Sequence, residues 1–296
     1  MIEQQPRTNI VYESPPPTGL LELVPKRLAI AAGVKVFGGG LTPEGTQALA
    51  IGLGKILRRE PINPGDDIYP VYQDAIAFQI EGEENIPRSG ATLFIGNHDT
   101  HPLLASMVQF IEGARIVNNA RVDVQDSVMR ESRIIMQRGI RTKVKLLGLS
   151  LGTHTVPFSE AFYFMGANSL NFVIVDRPKH DEAEQVVNKQ HMPKGLAEEI
   201  VAGQALFIYP QGKKGSGLNM PDKSGFIAKM RKFDVNVVGV LFERGEPGDP
   251  FRIAFGKPTH IQDLLVNEAG EPNLNHFAQQ HLAPLQSANR RFRITT

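Results

Sequence analysis

Three short polar clusters, each directly after an apolar run, contain the side chains of this chain that could perform chemistry. The first is Asn97-His98-Asp99, which follows the apolar residues Phe94-Ile95-Gly96. A histidine has a reference pKa of about 6.5, so His98 is suited to act as a general base near neutral pH. If Asp99 or Thr100 caps the next helix, His98 lies next to the N-terminus of that helix. The alternative is that His98 only satisfies backbone groups of a loop.

The second cluster is Asp176-Arg177, which follows the apolar run Phe172–Val175. The planar guanidinium of Arg177 matches the geometry of a phosphate or a carboxylate. The alternative is a structural ion pair between Arg177 and Asp176 or a nearby glutamate.

The third cluster is Gln211-Gly212-Lys213-Lys214, which follows the apolar run Leu206–Tyr209. Backbone N–H groups of a glycine-rich loop and the ammonium groups of lysines can approach an anion closely. The glycine and Gly-Lys-Ser/Thr spacing of a Walker loop is absent, so we do not expect nucleotide binding. A solvated basic loop is the alternative.

Segments that could position these clusters lie from about residue 66 onward, where short β-rich runs alternate with helical patterns. Such alternation predicts an α/β fold with a largely parallel central sheet flanked by helices. The run Val235–Val240 is apolar at nearly every position, which is typical of a strand covered on both faces. The predicted strands are Ala75–Glu81, Ala91–Gly96, Leu170–Asp176, Ala205–Tyr209, Val235–Phe242 and Phe251–Phe255, and the predicted helices include Pro193–Val201 and Lys223–Phe233.

The N-terminal part predicts a separate helical unit. Residues 1–19 are polar and proline-rich and predict a loose tail, and residues 20–60 predict two helices, the second beginning at Thr42 with Pro43 in its first turn. We therefore divide the chain into a tail and helical hairpin at 1–65 and an α/β domain at 66–296. The hairpin can pack on the domain, and as a basic amphipathic element it can also contact a membrane surface.

Composition excludes several classes of protein. The chain has 296 residues, a formal net charge of +1 and no cysteine, so disulfides, thiolate metal sites and cysteine nucleophiles are excluded. No secretory signal pattern and no apolar run of about 18 residues is present, so we expect a cytoplasmic protein with at most peripheral membrane contact. We expect no nucleic-acid partner. His-Glu-x-x-His and Gly-x-Ser-x-Gly patterns are absent, so we expect neither a metal site nor a serine hydrolase.

The order of the clusters resembles that of the PlsC-type lysophospholipid and glycerol-3-phosphate acyltransferase family. In this family an Asn-His block, a strand ending in Val-Asp-Arg and a Pro-Glu-Gly block follow one another, as Asn97-His98, Val175–Arg177 and Tyr209–Gly212 do here. The resemblance covers roughly residues 72–245. Three further segments are similar to family segments: Ile80–Pro87, Thr155–Phe158 and Lys223–Ala228.

The resemblance implies a 1-acylglycerol-3-phosphate O-acyltransferase-like enzyme of phospholipid biosynthesis. Such an enzyme moves a fatty acyl group from an acyl-CoA or acyl-carrier-protein thioester to a hydroxyl or amine acceptor, without a cofactor or metal. It implies His98 as the general base and Asp99 as its carboxylate partner. The implied substrate-binding residues are Asn97, Arg177, Gln211, Gly212, Lys213 and Lys214.

Two departures from the family pattern leave alternatives open. The aspartate expected five residues after the block histidine is Leu103, and the Glu and Arg of the third block are Gln211 and Lys214. An acceptor other than glycerol-3-phosphate is compatible with the loss of the glutamate charge. An esterase or thioesterase on the same scaffold, and a catalytically silent lipid- or carrier-binding protein, are the alternative functions.

Overall fold

A computed structural model describes most of the chain. The described residues are 26–37, 41–58, 60, 62, 64–97, 103–121, 132–137, 141–146, 149–155, 172–175, 196–210, 218, 220, 225–244, 249–268, 270 and 272–287. The helices are α1 (Lys26–Phe37), α2 (Pro43–Arg58), α3 (Tyr69–Tyr72), α4 (Leu103–Ala120), α5 (Leu196–Val201), α6 (Gly225–Met230) and α7 (Leu274–Phe277). The strands are β1 (Phe78–Glu81), β2 (Thr92–Gly96), β3 (Arg133–Gln137), β4 (Arg141–Leu146), β5 (Leu149–Thr155), β6 (Phe172–Val175), β7 (Ala205–Ile208), β8 (Asn236–Arg244), β9 (Phe251–Phe255) and β10 (Thr259–His260).

The main sheet has the strand order β1-β9-β8-β2-β7-β3-β6, and β10 pairs with β8. Strand β2 is parallel to both of its neighbours, β7 and β8, and β3 is parallel to β6 and β7. Strand β9 is parallel to β1 and antiparallel to β8. Strands β4 and β5 form a separate antiparallel pair. The predicted α/β class with a largely parallel central sheet is confirmed.

All six predicted strands are present, with ends that differ by up to three residues from the predicted ones. The sequence did not indicate β3, β4, β5 or β10. Strands β3 and β4 begin with arginine, and β4 alternates basic residues with others, so neither reads as an apolar run. Pairing with β6 and β7 makes Arg133–Gln137 a strand, since strand formation depends strongly on cross-strand neighbours.

Helices cover both faces of the sheet, with a hydrophobic core between each face and its helices. Successive residues of one strand point to opposite faces and therefore pack in different cores. Phe94 of β2 packs on one face with Phe110 of α4, while its neighbours Leu93 and Ile95 pack on the other face. Helices α5, α6 and α7 cover that second face with residues such as Ile200. In β8 the same alternation sends Val237 to one core and Val238 to the other, and both are fully buried. The prediction that β8 is covered on both sides is confirmed.

The two predicted N-terminal helices are present as α1 and α2. The Oγ1 of Thr42 accepts a hydrogen bond of 3.1 Å from the Gly45 N–H, so Thr42 caps α2 as predicted. The helices approach closely, because a Cβ at Gly33 would lie 2.7 Å from Leu53 Cδ1. Side chains from the start of α2 pack with α3 and with Val108 of α4. In the described part of the chain, no helix has both the length and the apolar character needed to cross a membrane.

Candidate functional site

Three parallel strands precede the predicted chemical residues, and their carboxyl ends all lie at one end of the sheet. Ile95 of β2 pairs with Ile208 of β7, and Ile134 of β3 pairs with Phe207 of β7. On the far side of β3, Gln137 pairs with Val175 of β6. When these registers are continued by a few residues, Asn97, Pro210, Gln137 and Val175 fall in one row. We call this row the site edge.

The width of the site edge follows from the strand spacing. Parallel strands lie about 4.8 Å apart, so Asn97 and Val175, which are three strands apart, are separated by roughly 14 Å. Pro210 and Gln137 lie between them. In open α/β sheets, ligands bind outside the carboxyl ends of the strands, where the site edge lies. The strands that precede the first, third and second sequence clusters therefore end along one row in that order.

Most of the predicted site residues follow the site edge directly and lie outside the described residues. These are His98, Asp99, Arg177, Gln211, Gly212, Lys213 and Lys214. Their predicted catalytic and binding roles stay predictions. Asn97 is the predicted site residue whose side chain the structure describes.

Asn97 is 8% exposed, and its amide binds the main chain of the neighbouring strand β8. Asn97 Nδ2 donates a hydrogen bond of 2.9 Å to the carbonyl of Phe242, and the Phe242 N–H donates one of 2.7 Å to Asn97 Oδ1. The nitrogen and the oxygen of the Asn97 side-chain amide are thus both hydrogen-bonded to the main chain of Phe242. A substrate contact of Asn97 stays a prediction, while the contact with Phe242 was not indicated by the sequence.

Aromatic rings pack against the end of β2. The rings of Phe110 and Tyr209 stack at 4.1 Å between centroids, and Phe110 meets Phe242 edge to face at 5.4 Å. A Cβ at position 96 would lie 2.9 Å from Tyr209 Cε1 and 3.1 Å from Phe242 Cε2, so Gly96 is needed for this close packing. Burial raises the pKa of Tyr209 well above its usual value.

Leu103, at the position where the resemblance leads us to expect an aspartate, is the first residue of α4. Further along α4, Glu112 is a buried carboxylate, but it lies nine residues, or about 13.5 Å, from the start of the helix. Its oxygens accept hydrogen bonds from Tyr72 and Arg115. Glu112 is therefore committed to a structural cluster away from the site edge. Asp99 as the partner of His98 stays a prediction.

A second buried carboxylate lies beside the Asn97 contact. Glu243 follows Phe242 on β8, is 4% exposed, and accepts hydrogen bonds from Arg252 at 2.8 Å and from the Ser287 N–H at 3.2 Å. Arg252 also pairs with Glu81 of β1. These contacts join β1, β9, β8 and the C-terminal segment. They thereby hold β8, the strand that binds Asn97, in place. Within the part of the chain that the structure describes, no three His, Asp or Glu side chains group as metal ligands would.

Comparisons with known proteins show a similarity of structure and no match of sequence. No family model matches the chain, and no curated protein sequence matches it. Among solved structures, the chain is similar to the 1-acyl-sn-glycerophosphate (LPA) acyltransferase PlsC from Thermotoga maritima, with a TM-score of 0.38 and 14% sequence identity. The similarity covers 89% of this chain and 92% of that chain. A likeness of this size carries no information about activity.

Proposed function

We propose that this protein is an acyltransferase that moves a fatty acyl group from a thioester to a hydroxyl or amine acceptor. The observation that carries the proposal is the site edge. The strand ends before the Asn97-His98, Pro210-Gln211 and Asp176-Arg177 segments lie in one row of roughly 14 Å. The same three segments, in chain order, carry the resemblance to the PlsC-type acyltransferase family.

The proposed chemistry is one acyl transfer step. His98 removes the proton of the acceptor hydroxyl while the oxygen attacks the thioester carbonyl carbon. A carbon–oxygen bond forms, the carbon–sulfur bond breaks, and the thiolate leaves and is protonated by the imidazolium. Asp99 orients the imidazole and stabilises its charged form. In serine proteases, loss of the corresponding carboxylate lowers kcat about 10⁴-fold, so such a partner is needed for a fast enzyme.

The proposed acceptor carries an anionic group. Arg177 offers a planar fork for a phosphate, and Lys213 and Lys214 with the Gly212 main chain offer further donors. Gln211 can donate as well as accept a hydrogen bond, unlike the glutamate of the family pattern. Lysophosphatidic acid and glycerol-3-phosphate are therefore the first acceptors to test, followed by other hydroxylated or amine acceptors.

The proposed donor is an acyl-CoA or an acyl-carrier protein, with no further cofactor and no metal. The proposed setting is the cytoplasm, with peripheral contact to the cytoplasmic face of a membrane. The basic residues of α1 and α2 suit that contact, since anionic lipid headgroups attract lysine and arginine near the surface. Arg27 and Lys35 of α1 are exposed.

The test is direct product analysis. Purified protein is incubated with acyl-CoA or acyl-carrier protein and with glycerol-3-phosphate, lysophosphatidic acid or an amine acceptor, and products are identified by mass spectrometry. We expect an acylated acceptor that is absent with His98→Ala and present with His260→Ala, a histidine exposed at the sheet start. Free fatty acid without an acylated acceptor would show a thioesterase instead. Donor binding without any turnover would contradict the proposal and indicate a binding protein.

A further inference from the structure

The contact between Asn97 and Phe242 replaces a step of the main-chain ladder. Strands β2 and β8 pair in parallel up to Gly96 opposite Val240. In a parallel ladder, the N–H and carbonyl of one residue bond to two different residues of the neighbouring strand. The Asn97 amide instead satisfies both groups of Phe242. Both main-chain groups of Phe242 are therefore satisfied by the Asn97 side chain.

We infer that Asn97 is a positioning residue, which ends β2 at a defined point and fixes the main chain from which His98 extends. This inference rests on the proposed function for the role of His98 as the base. It assigns Asn97 to the support of the base, whereas the family resemblance suggested a substrate contact.

Phe242 contacts both Gly96 and Asn97, the two residues before His98. Its main chain binds the Asn97 amide, and its fully buried ring lies against Gly96, the preceding residue. The ring is held in turn by Phe110 of α4. Because packed interiors transmit small displacements, a change at Asn97 shifts the start of the His98 segment. A misplacement of about 1 Å can lower the rate about 100-fold.

Replacement of Asn97 by aspartate makes the positioning sensitive to pH. A charged carboxylate can accept from the Phe242 N–H but cannot donate to the Phe242 carbonyl, whereas a protonated carboxyl group can do both. Burial raises the pKa of a carboxyl group, so this group gains its proton in an accessible pH range. At pH 8.5 we expect kcat of Asn97→Asp to fall about 10- to 100-fold with little change in KM. The ratio of variant to wild-type kcat should rise steadily as the pH falls to 6.

The matched control is Asn85→Asp, whose bond is made on β9, two strands from β2. Asn85 Nδ2 donates a hydrogen bond of 3.0 Å to the carbonyl of Phe255, so the same substitution removes a similar bond that does not involve β2. We expect this variant to lose stability while kcat and its pH profile follow the wild type. An equal kcat loss in both variants, with the same pH dependence, would show that Asn97 is only structural.

A second readout does not depend on turnover. The ring resonances of His98, identified by their absence in His98→Gln, are followed by NMR through a pH titration in the wild type and in both aspartate variants. We expect the apparent pKa of His98 to change in Asn97→Asp and to stay at the wild-type value in Asn85→Asp. An unchanged His98 titration in Asn97→Asp would overturn the inference. Absence of turnover in the wild type would refute the proposed function, and the titration would still decide the role of Asn97.

Discussion

The hydroxyl of Tyr72 donates a hydrogen bond of 2.5 Å to Oε2 of Glu112, and both side chains are buried. Arg115 also pairs with Glu112 through both of its carboxylate oxygens, and its guanidinium lies 4.6 Å from the ring centre of Tyr69. Tyr69 and Tyr72 belong to α3, while Glu112 and Arg115 belong to α4. The cluster therefore joins α3 to α4, the helix that starts five residues after His98.

Loss of the Tyr72 hydroxyl should destabilise the protein. Tyr72→Phe keeps the ring but leaves a buried carboxylate with one donor fewer, which we expect to lower the free energy of unfolding by about 1–3 kcal/mol. Denaturant titration measures this change. Tyr69→Phe is the control, because its ring retains the contact with Arg115. Equal stability losses in the two variants would contradict a specific role of the bond between Tyr72 and Glu112.

Addition of one methyl group at Gly96 should disturb the aromatic packing at the end of β2. In Gly96→Ala the new Cβ meets the rings of Tyr209 and Phe242, and overpacking of this kind costs about 1–3 kcal/mol. Activity should fall as well, because Asn97 follows directly. Gly52→Ala in α2 is the control, since the nearest atom to its Cβ would be 3.8 Å away. There we expect unchanged or slightly increased stability. A fully stable and active Gly96→Ala variant would show that the rings move aside at no cost.

Replacement of Arg121 should destabilise the fold without affecting the site edge. Arg121 is fully buried, and its guanidinium donates to the carbonyls of Pro87, Gly90 and Gly203, just before the starts of β2 and β7. Arg121→Met leaves these three acceptors without their donor, so we expect a loss of at least about 3 kcal/mol.

The control for Arg121 is Arg58→Ala, which removes an exposed ion pair with Glu60. We expect almost no change in the denaturation midpoint there, because exposed pairs contribute little. The activity per folded molecule of Arg121→Met, measured below its unfolding transition, should equal that of the wild type. A normal denaturation midpoint for Arg121→Met would refute a stabilising role for the three hydrogen bonds of Arg121.

His281 should make stability decrease in mild acid. Its ring stacks on Phe277 at 4.7 Å, and burial, with a smaller contribution from nearby His276, lowers the pKa of His281. The unfolded chain therefore binds a proton more readily than the folded chain near pH 6.5, so stability falls as the pH decreases through that value. Thermal unfolding between pH 7.5 and 5.5 measures this fall. His281→Gln should show a smaller decrease, and an identical pH dependence would exclude His281 as its source.

Local pattern was sufficient for much of the fold. Runs of apolar residues predicted six strands of the sheet, and the nearly continuous apolar run of β8 predicted that both faces are covered, because each exposed face would need polar residues at every second position. Thr42 and Pro43 predicted the start of α2, because capping depends on residues adjacent in the chain. The three polar clusters were visible for the same reason, since each follows its own strand.

Only the tertiary structure decided how these parts meet. The insertion of β3 between β7 and β6 sets the spacing along the site edge, and the mixed composition of β3 hides it from pattern analysis. The bonds of Asn97 to Phe242 span 145 residues of chain, and the close approach of Tyr209 to Gly96 depends on the pairing of separate strands. A residue's type shows what bonds it can form. Which partner it reaches depends on strand order and packing, which are properties of the whole folded chain.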